Sequence, residues 1–215
     1  MSASHPNGPA RGRGTRVVTP SPAWRRTAGP VQTEEPNVSG AVVLDQTRVM
    51  EEIAGRDAVA RALGRLPREA QEHYASLTPA GKIPAPWARQ HIIEVARELD
   101  VSPSSLQAQV VRRGVERTLR GPWRLLLRFT SDEALVARTP LLYRQAYDRG
   151  RLTARITAPG RAELEVEGWD RIPRLELEGL ACAIETVLRC AGRPDVQVVI
   201  EERPRGAFFV ATWRR

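Results

Sequence analysis

The segment RLTARITAPGRAELEVE, residues 151–167, decides how this chain folds. Its apolar residues alternate with polar ones on both sides of a Pro-Gly turn, which is the two-residue period of strands with one apolar face. The turn places Arg155 opposite Glu163 and Arg151 opposite Glu167, and such cross-strand pairs, worth about 0.2–1 kcal/mol each, help to fix the register. The segment therefore predicts a β-hairpin.

The residues that follow predict a helix and a second hairpin. An apolar stripe at helical spacing runs from Leu175 to Ala191 and stops before Gly192, a residue that commonly ends helices. Two alternating segments then flank a turn at residues 203–206. Residues 151–215 are thus predicted to form a ββαββ unit with a four-stranded antiparallel sheet.

The preceding residues, 37–150, predict a series of helices after a short strand or extended lead-in at residues 38–44. Their starts are predicted from capping residues and prolines. The expected starts are Asp45, Arg56, Pro67, Trp87, Ser102-Pro103, Trp123, Ser131 and Thr139-Pro140. The fold class is therefore α+β, in one domain over residues 37–215.

The charge of the chain is unevenly distributed. The formal net charge is +8, and residues 1–33 supply five arginines and no acid, which leaves 28 bases against 25 acids elsewhere. Residues 1–36 are rich in Gly, Pro, Ser and Thr, a composition that cannot bury enough apolar surface to offset its ordering entropy. They are predicted to be a disordered basic tail, either simply solvated or in contact with nucleic acid or anionic lipid.

The cysteines and the hydropathy indicate a compartment. Cys182 and Cys190 lie eight residues apart on the predicted helix, about 12 Å, which is too far for a disulfide. No apolar run approaches the ~18 residues of a membrane span. We expect a reduced, cytoplasmic protein without a membrane span.

Catalytic and metal-binding motifs are not found in the sequence. Lys82 lacks the glycine and the Ser/Thr of a phosphate-binding loop. The three histidines, His5, His73 and His91, lack the spacing of metal ligands. We therefore expect neither an enzyme nor a metal site.

Five residues are candidates for a small-molecule pocket. His91 lies beside apolar residues on a predicted helix, and it could face a pocket, coordinate haem iron or be a hydrogen-bonded structural residue. The aromatic residues could line the same cavity or belong to the core. The candidate set is Trp87, His91, Tyr143, Tyr147 and Trp169.

Residues 87–119 are an alternative candidate, a helix-turn-helix for DNA. Ala96, Val101 and Leu106 have the spacing of that motif. The basic residues that follow, Arg112, Arg113 and Arg117, would then contact nucleic acid. Asp100 counts against the motif, because its position in the turn favours glycine.

A set of ordered motifs resembles a known family. They are Val38-Ser-Gly40, Leu66-Pro-Arg68, Pro84-Ala-Pro-Trp87, Thr139-Pro-Leu-Leu-Tyr143, Tyr147-Asp-Arg-Gly150, Glu178-Gly179 and Phe209-Val-Ala-Thr-Trp213. Their order resembles a myxobacteria-restricted paralogous family of unknown function, distantly similar to the haem-NO-binding and 4-vinyl reductase ligand-binding domains.

This resemblance implies a non-catalytic ligand-binding or signalling module with a cavity between helices and sheet. The chain lacks the Tyr-x-Ser-x-Arg motif that holds haem carboxylates, and it lacks the cysteines that relatives carry near the last hairpin. We therefore predict no cofactor and, in particular, no haem. The expected partner is a protein or a second copy of the chain, with a small-molecule ligand in the pocket; a purely structural, self-associating protein is the remaining alternative.

Overall fold

The computed structural model describes residues 36–120 and 127–214. All of the predicted tail except Pro36 lies outside these residues, as does most of the predicted helix that begins at Trp123.

The first part of the chain contains six helices and a small sheet in its described residues. The helices are α1 (Gly40–Ala54), α2 (Arg56–Leu63), α3 (Arg68–Ser76), α4 (Ala85–Glu98), α5 (Pro103–Thr118) and α6 (Asp132–Ala146). The strands β1 (Asn37–Ser39) and β2 (Lys82–Pro84) pair antiparallel. Ser102 and Ser131 cap α5 and α6 through their side chains, at the positions that the sequence predicts.

Two predicted boundaries in this part are wrong. The lead-in ends at Ser39, and Asp45 lies within α1 rather than capping it. Residues 132–146 form a single helix that contains Pro140, whereas the sequence predicted a new start there. Val136 and Tyr143 are buried on either side of the proline, and this packing holds the helix together despite the hydrogen bond that proline removes.

The second part is the predicted ββαββ unit. Its elements are β3 (Arg151–Ala158), β4 (Arg161–Glu167), α7 (Arg174–Cys190), β5 (Gln197–Arg203) and β6 (Gly206–Thr212), and the strand order is β3-β4-β6-β5. Arg155 lies opposite Glu163 and Arg151 opposite Glu167, as predicted. The Arg155 Nη2 and Glu163 Oε2 atoms are 2.9 Å apart. The α+β fold class is confirmed.

Helix α7 belongs to both parts of the molecule. Its apolar side packs on the sheet, where Leu177 joins Leu164 and Phe209 in one core. Its other side packs on α5, and Leu175 contacts the core of the helical part. The helical and sheet parts are therefore joined through α7. No helix in the described ranges is long and apolar enough to cross a membrane.

Candidate functional site

Three of the five predicted pocket residues lie together where α6 meets the sheet. The ring centroids of Tyr143 and Tyr147 are 5.2 Å apart, and those of Tyr147 and Trp169 are also 5.2 Å apart. The Tyr143 hydroxyl donates a hydrogen bond of 3.1 Å to the Arg149 carbonyl. Helical spacing brings the two tyrosines together, and the chain after β4 adds the tryptophan.

A buried ion pair extends this aromatic group into the helical part. Glu176 of α7 is 7% exposed, and its carboxylate lies 3.4 Å from the Arg89 guanidinium of α4. The Tyr147 hydroxyl lies 3.4 Å from the other oxygen of the same carboxylate. We call Arg89, Tyr143, Tyr147, Trp169 and Glu176 the junction site, because they connect the helical part to the sheet part.

The tyrosines of the junction site remain protonated. Burial, and after it the charge of Glu176, raises the pKa of Tyr147 well above its usual value. The same two causes raise the pKa of Tyr143. Both hydroxyls can therefore donate hydrogen bonds throughout the physiological pH range.

The indole N–H of Trp169 is the unusual feature of the junction site. Trp169 is 3% exposed, and its Nε1 has no hydrogen-bond partner among the described residues. A buried donor left without an acceptor costs roughly 1–3 kcal/mol. The site thus contains a fixed donor for which the described side chains supply no acceptor.

The other two predicted pocket residues lie elsewhere. The Trp87 ring packs edge-on against His73, with centroids 5.0 Å apart. His91 is fully buried and packs edge-on against Tyr74, at 4.9 Å. The predicted five-residue pocket is therefore divided between the junction site and a group on α3 and α4.

His91 offers one nitrogen without a partner. Its Nε2 lies 3.5 Å from the Val59 carbonyl oxygen, which can only accept, so the hydrogen in that contact belongs to Nε2. Its Nδ1 then carries the lone pair, and no hydrogen bond to the described residues satisfies it. Burial lowers the pKa of His91, so the neutral form is favoured.

Sequence reasoning missed Arg89 and Glu176. Both are charged residues at the edge of an apolar helix face. From sequence alone, charged residues at such positions are expected to be exposed to solvent. The only available signal was that Glu176 lies one position before Leu177 in the buried stripe of α7. Their pairing joins residues 87 positions apart, and local periodicity cannot predict such a contact.

The structure does not support the DNA-binding alternative. Arg117 pairs with Asp45 at 3.1 Å and with Glu52 at 2.7 Å, so it binds α1. Val101, which the motif requires to be buried, is 40% exposed. Helix α5, which also carries Arg112 and Arg113, packs against α1 and α7 rather than projecting as a recognition helix.

Comparison with known proteins identifies a fold and no family. No family model matches the sequence, and no curated protein matches it.

Solved structures of H-NOX domains do match over 82% of this chain. An Fe(II) unliganded H-NOX mutant from K. algicida is 13% identical, with 97% of that chain covered and a TM-score of 0.62. A Cs H-NOX mutant is 14% identical, with 97% covered and a TM-score of 0.61. An oxygen-binding H-NOX domain related to soluble guanylate cyclases, in its oxygen complex, is 14% identical, with 95% covered and a TM-score of 0.58. At these identities the likeness establishes an H-NOX-like fold.

This comparison corrects the expectation about cofactors. The prediction of no cofactor, and of no haem in particular, is wrong, because structures that share this fold are described by their heme distortion and heme redox potential. The unpartnered Nδ1 of His91 is an atom whose chemistry suits haem iron. The Tyr74 ring packs edge-on against this imidazole, and the Val59 carbonyl contacts its Nε2. His91 is fully buried, so haem bound at its Nδ1 would require the surrounding side chains to move.

Proposed function

We propose that this chain is a non-catalytic sensor domain that binds a small molecule at the junction site. The observation that carries the proposal is the buried Trp169 N–H without an acceptor, beside two protonated tyrosines. The H-NOX-like fold supports it, since one domain of that fold is described as oxygen-binding. The ligand that suits the site has a hydrogen-bond acceptor and an otherwise apolar body, because aromatic rings surround the donor.

Binding at the junction site would be transmitted through the ion pair. Arg89 lies on α4 in the helical part, and Glu176 lies on α7 beside the sheet. The Tyr147 ring packs against Trp169 and its hydroxyl contacts Glu176, so a ligand that binds at Trp169 would act on Tyr147. A shift of Tyr147 changes the surroundings of Glu176, and with them the contact between α4 and α7. A partner that binds either part would detect this change.

The first experiment is native mass spectrometry of the full chain as purified, with an absorbance spectrum of the same sample. We expect a bound small molecule, and visible absorption if that molecule is haem. The Trp169→Phe variant keeps an aromatic ring and removes the N–H, so ligand affinity should fall about tenfold, the value of one buried hydrogen bond.

Trp87→Phe is the matched control. It makes the same substitution on the other aromatic group, which contacts His73 rather than the junction site. Equal loss of ligand in both variants, or an unchanged affinity in Trp169→Phe, would contradict a site at the junction. The stoichiometry in the same spectra tests the predicted self-association.

A further inference from the structure

A second cleft lies at the other end of the sheet from the junction site. It has a volume of about 440 Å³, which is large enough for a small metabolite. Its walls are the residues just after α7, the start of α6 with the residues before it, and the residues just after β6. The charged and aromatic side chains that line it are Arg128, Asp132, Arg193, Trp213 and Arg214.

Arg193 forms the rigid wall of this cleft. Its Nε donates to Asp132 Oδ1 at 2.9 Å, and its Nη2 donates to the Thr130 carbonyl at 2.6 Å. Its Nη1 contacts the carbonyl of Ala191. The side chain is 13% exposed. Arg193 therefore fastens the segment before α6 to the end of α7, and Asp132 balances its charge.

The other two arginines leave the cleft positively charged. Arg128 lines the cleft and is exposed. The Arg214 guanidinium lies 3.2 Å from Asp195, but both side chains are largely exposed, and such surface pairs contribute little. The Arg214 N–H donates to the Pro194 carbonyl at 3.0 Å, which fixes its backbone at the rim. Two guanidinium groups are thus available to a ligand.

Trp213 supplies the second, independent observation. It lines the cleft and is 6% exposed, yet its Nε1 has no hydrogen-bond partner among the described residues. The donor is neutral and held by the sheet core, of which Trp213 is a member. The indole N–H calls for a hydrogen-bond acceptor, and the two arginines that line the same cleft favour one that carries negative charge.

We propose that this cleft binds the phosphate group of a small molecule. Phosphate offers acceptors on several sides, and arginine binds it in a bidentate manner. Arg128 and Arg214 would hold two edges of the group, and the Trp213 N–H would donate to a third oxygen after a small opening of the wall. The proposal does not rest on the junction site.

The test follows the indole N–H resonance of Trp213 in the full chain, assigned by its disappearance in Trp213→Phe. Inorganic phosphate is titrated at constant ionic strength, and vesicles of phosphatidylcholine with phosphatidylglycerol are titrated separately. We expect a saturable shift of the resonance with free phosphate. A shift with vesicles alone would instead make a lipid headgroup the source of the phosphate.

Variants decide whether the cleft is the site. Arg128→Gln and Arg214→Gln should each weaken binding about tenfold, the loss of one charge-assisted hydrogen bond. The matched control is Arg113→Gln on α5, which removes the same charge from an exposed position that does not line the cleft. No saturable shift with either probe overturns the proposal. Equal weakening by Arg113→Gln also overturns it, because the effect would then come from net charge alone.

Discussion

Glu176 shows how a single residue couples the two parts of the molecule. Its carboxylate is buried and is paired with Arg89 across the junction. Removal of one partner of a buried pair is costly, because the remaining charge has lost its compensation. Arg89→Met should therefore lower the free energy of unfolding by about 3 kcal/mol in urea denaturation.

The surface arginine Arg174 is the control for that measurement. It pairs with Glu178 and Glu202, but its side chain is 60% exposed. Arg174→Met should cost much less than Arg89→Met, because exposed ion pairs contribute little to stability. Similar losses in the two variants would show that Glu176 is solvated in solution. The double variant Arg89→Met/Glu176→Leu should recover part of the loss.

His91 should make stability depend on pH. Burial lowers the pKa of His91 in the folded chain, so below about pH 6.5 the unfolded chain binds a proton that the folded chain does not. The free energy of unfolding should therefore fall as the pH is lowered from about 6.5, by up to about 1.4 kcal/mol per pH unit from this residue.

The measurement is urea denaturation between pH 7.5 and 5, conditions chosen to span the usual pKa of about 6.5. His91→Gln should reduce the slope of stability against pH, whatever its effect on stability at neutral pH. An unchanged slope in His91→Gln would mean that this imidazole is accessible to protons in the folded state.

At the scale of elements, the sequence predicted the strands and helices whose apolar residues recur with a regular local period. The β3–β4 register follows from Arg155 and Glu163, since a shift by one residue would place the apolar set in water. The β1–β2 pairing was not predicted, because its two three-residue strands lie far apart in the chain and have no period to read. The prediction of a helix start at Pro140 was wrong for a different reason. Its neighbours in α6 are buried, and this burial, which the sequence does not show, keeps residues 132–146 in one helix.

The close approach of β4 and β6 depends on Gly206. This residue has φ of 150°, and a Cβ there would lie 1.8 Å from the Val166 carbonyl oxygen. Gly206→Ala must therefore separate the two strands, and we expect a loss of more than about 3 kcal/mol in thermal or urea unfolding. Gly55→Ala is the matched control: φ is +83° and ψ is 151°, but nothing lies within 4 Å of the added Cβ, so only the backbone strain of about 1–3 kcal/mol remains. Equal losses would show that the strands tolerate the added methyl group.

At the scale of the whole molecule, the shared helix α7 makes the helical and sheet parts interdependent. The single domain over residues 37–215 stays a prediction from the sequence. In the structure, Leu175 contacts the helical core, and Leu177, two residues later, is buried in the sheet core. Long-range packing of this kind is set by tertiary structure, which a single sequence does not display.

The two parts should consequently unfold together. Leu106 is fully buried in the helical core, so Leu106→Ala should cost about 2–5 kcal/mol. If unfolding is cooperative, hydrogen exchange of the slowest amides in β4 and β6 should accelerate by the same factor as exchange in α4 and α5, although the substitution touches no strand. Leu141→Ala, at a position 50% exposed, should change neither. Acceleration confined to the helices would mean that the sheet part remains folded when the helical part opens, and α7 would then belong to the sheet part alone.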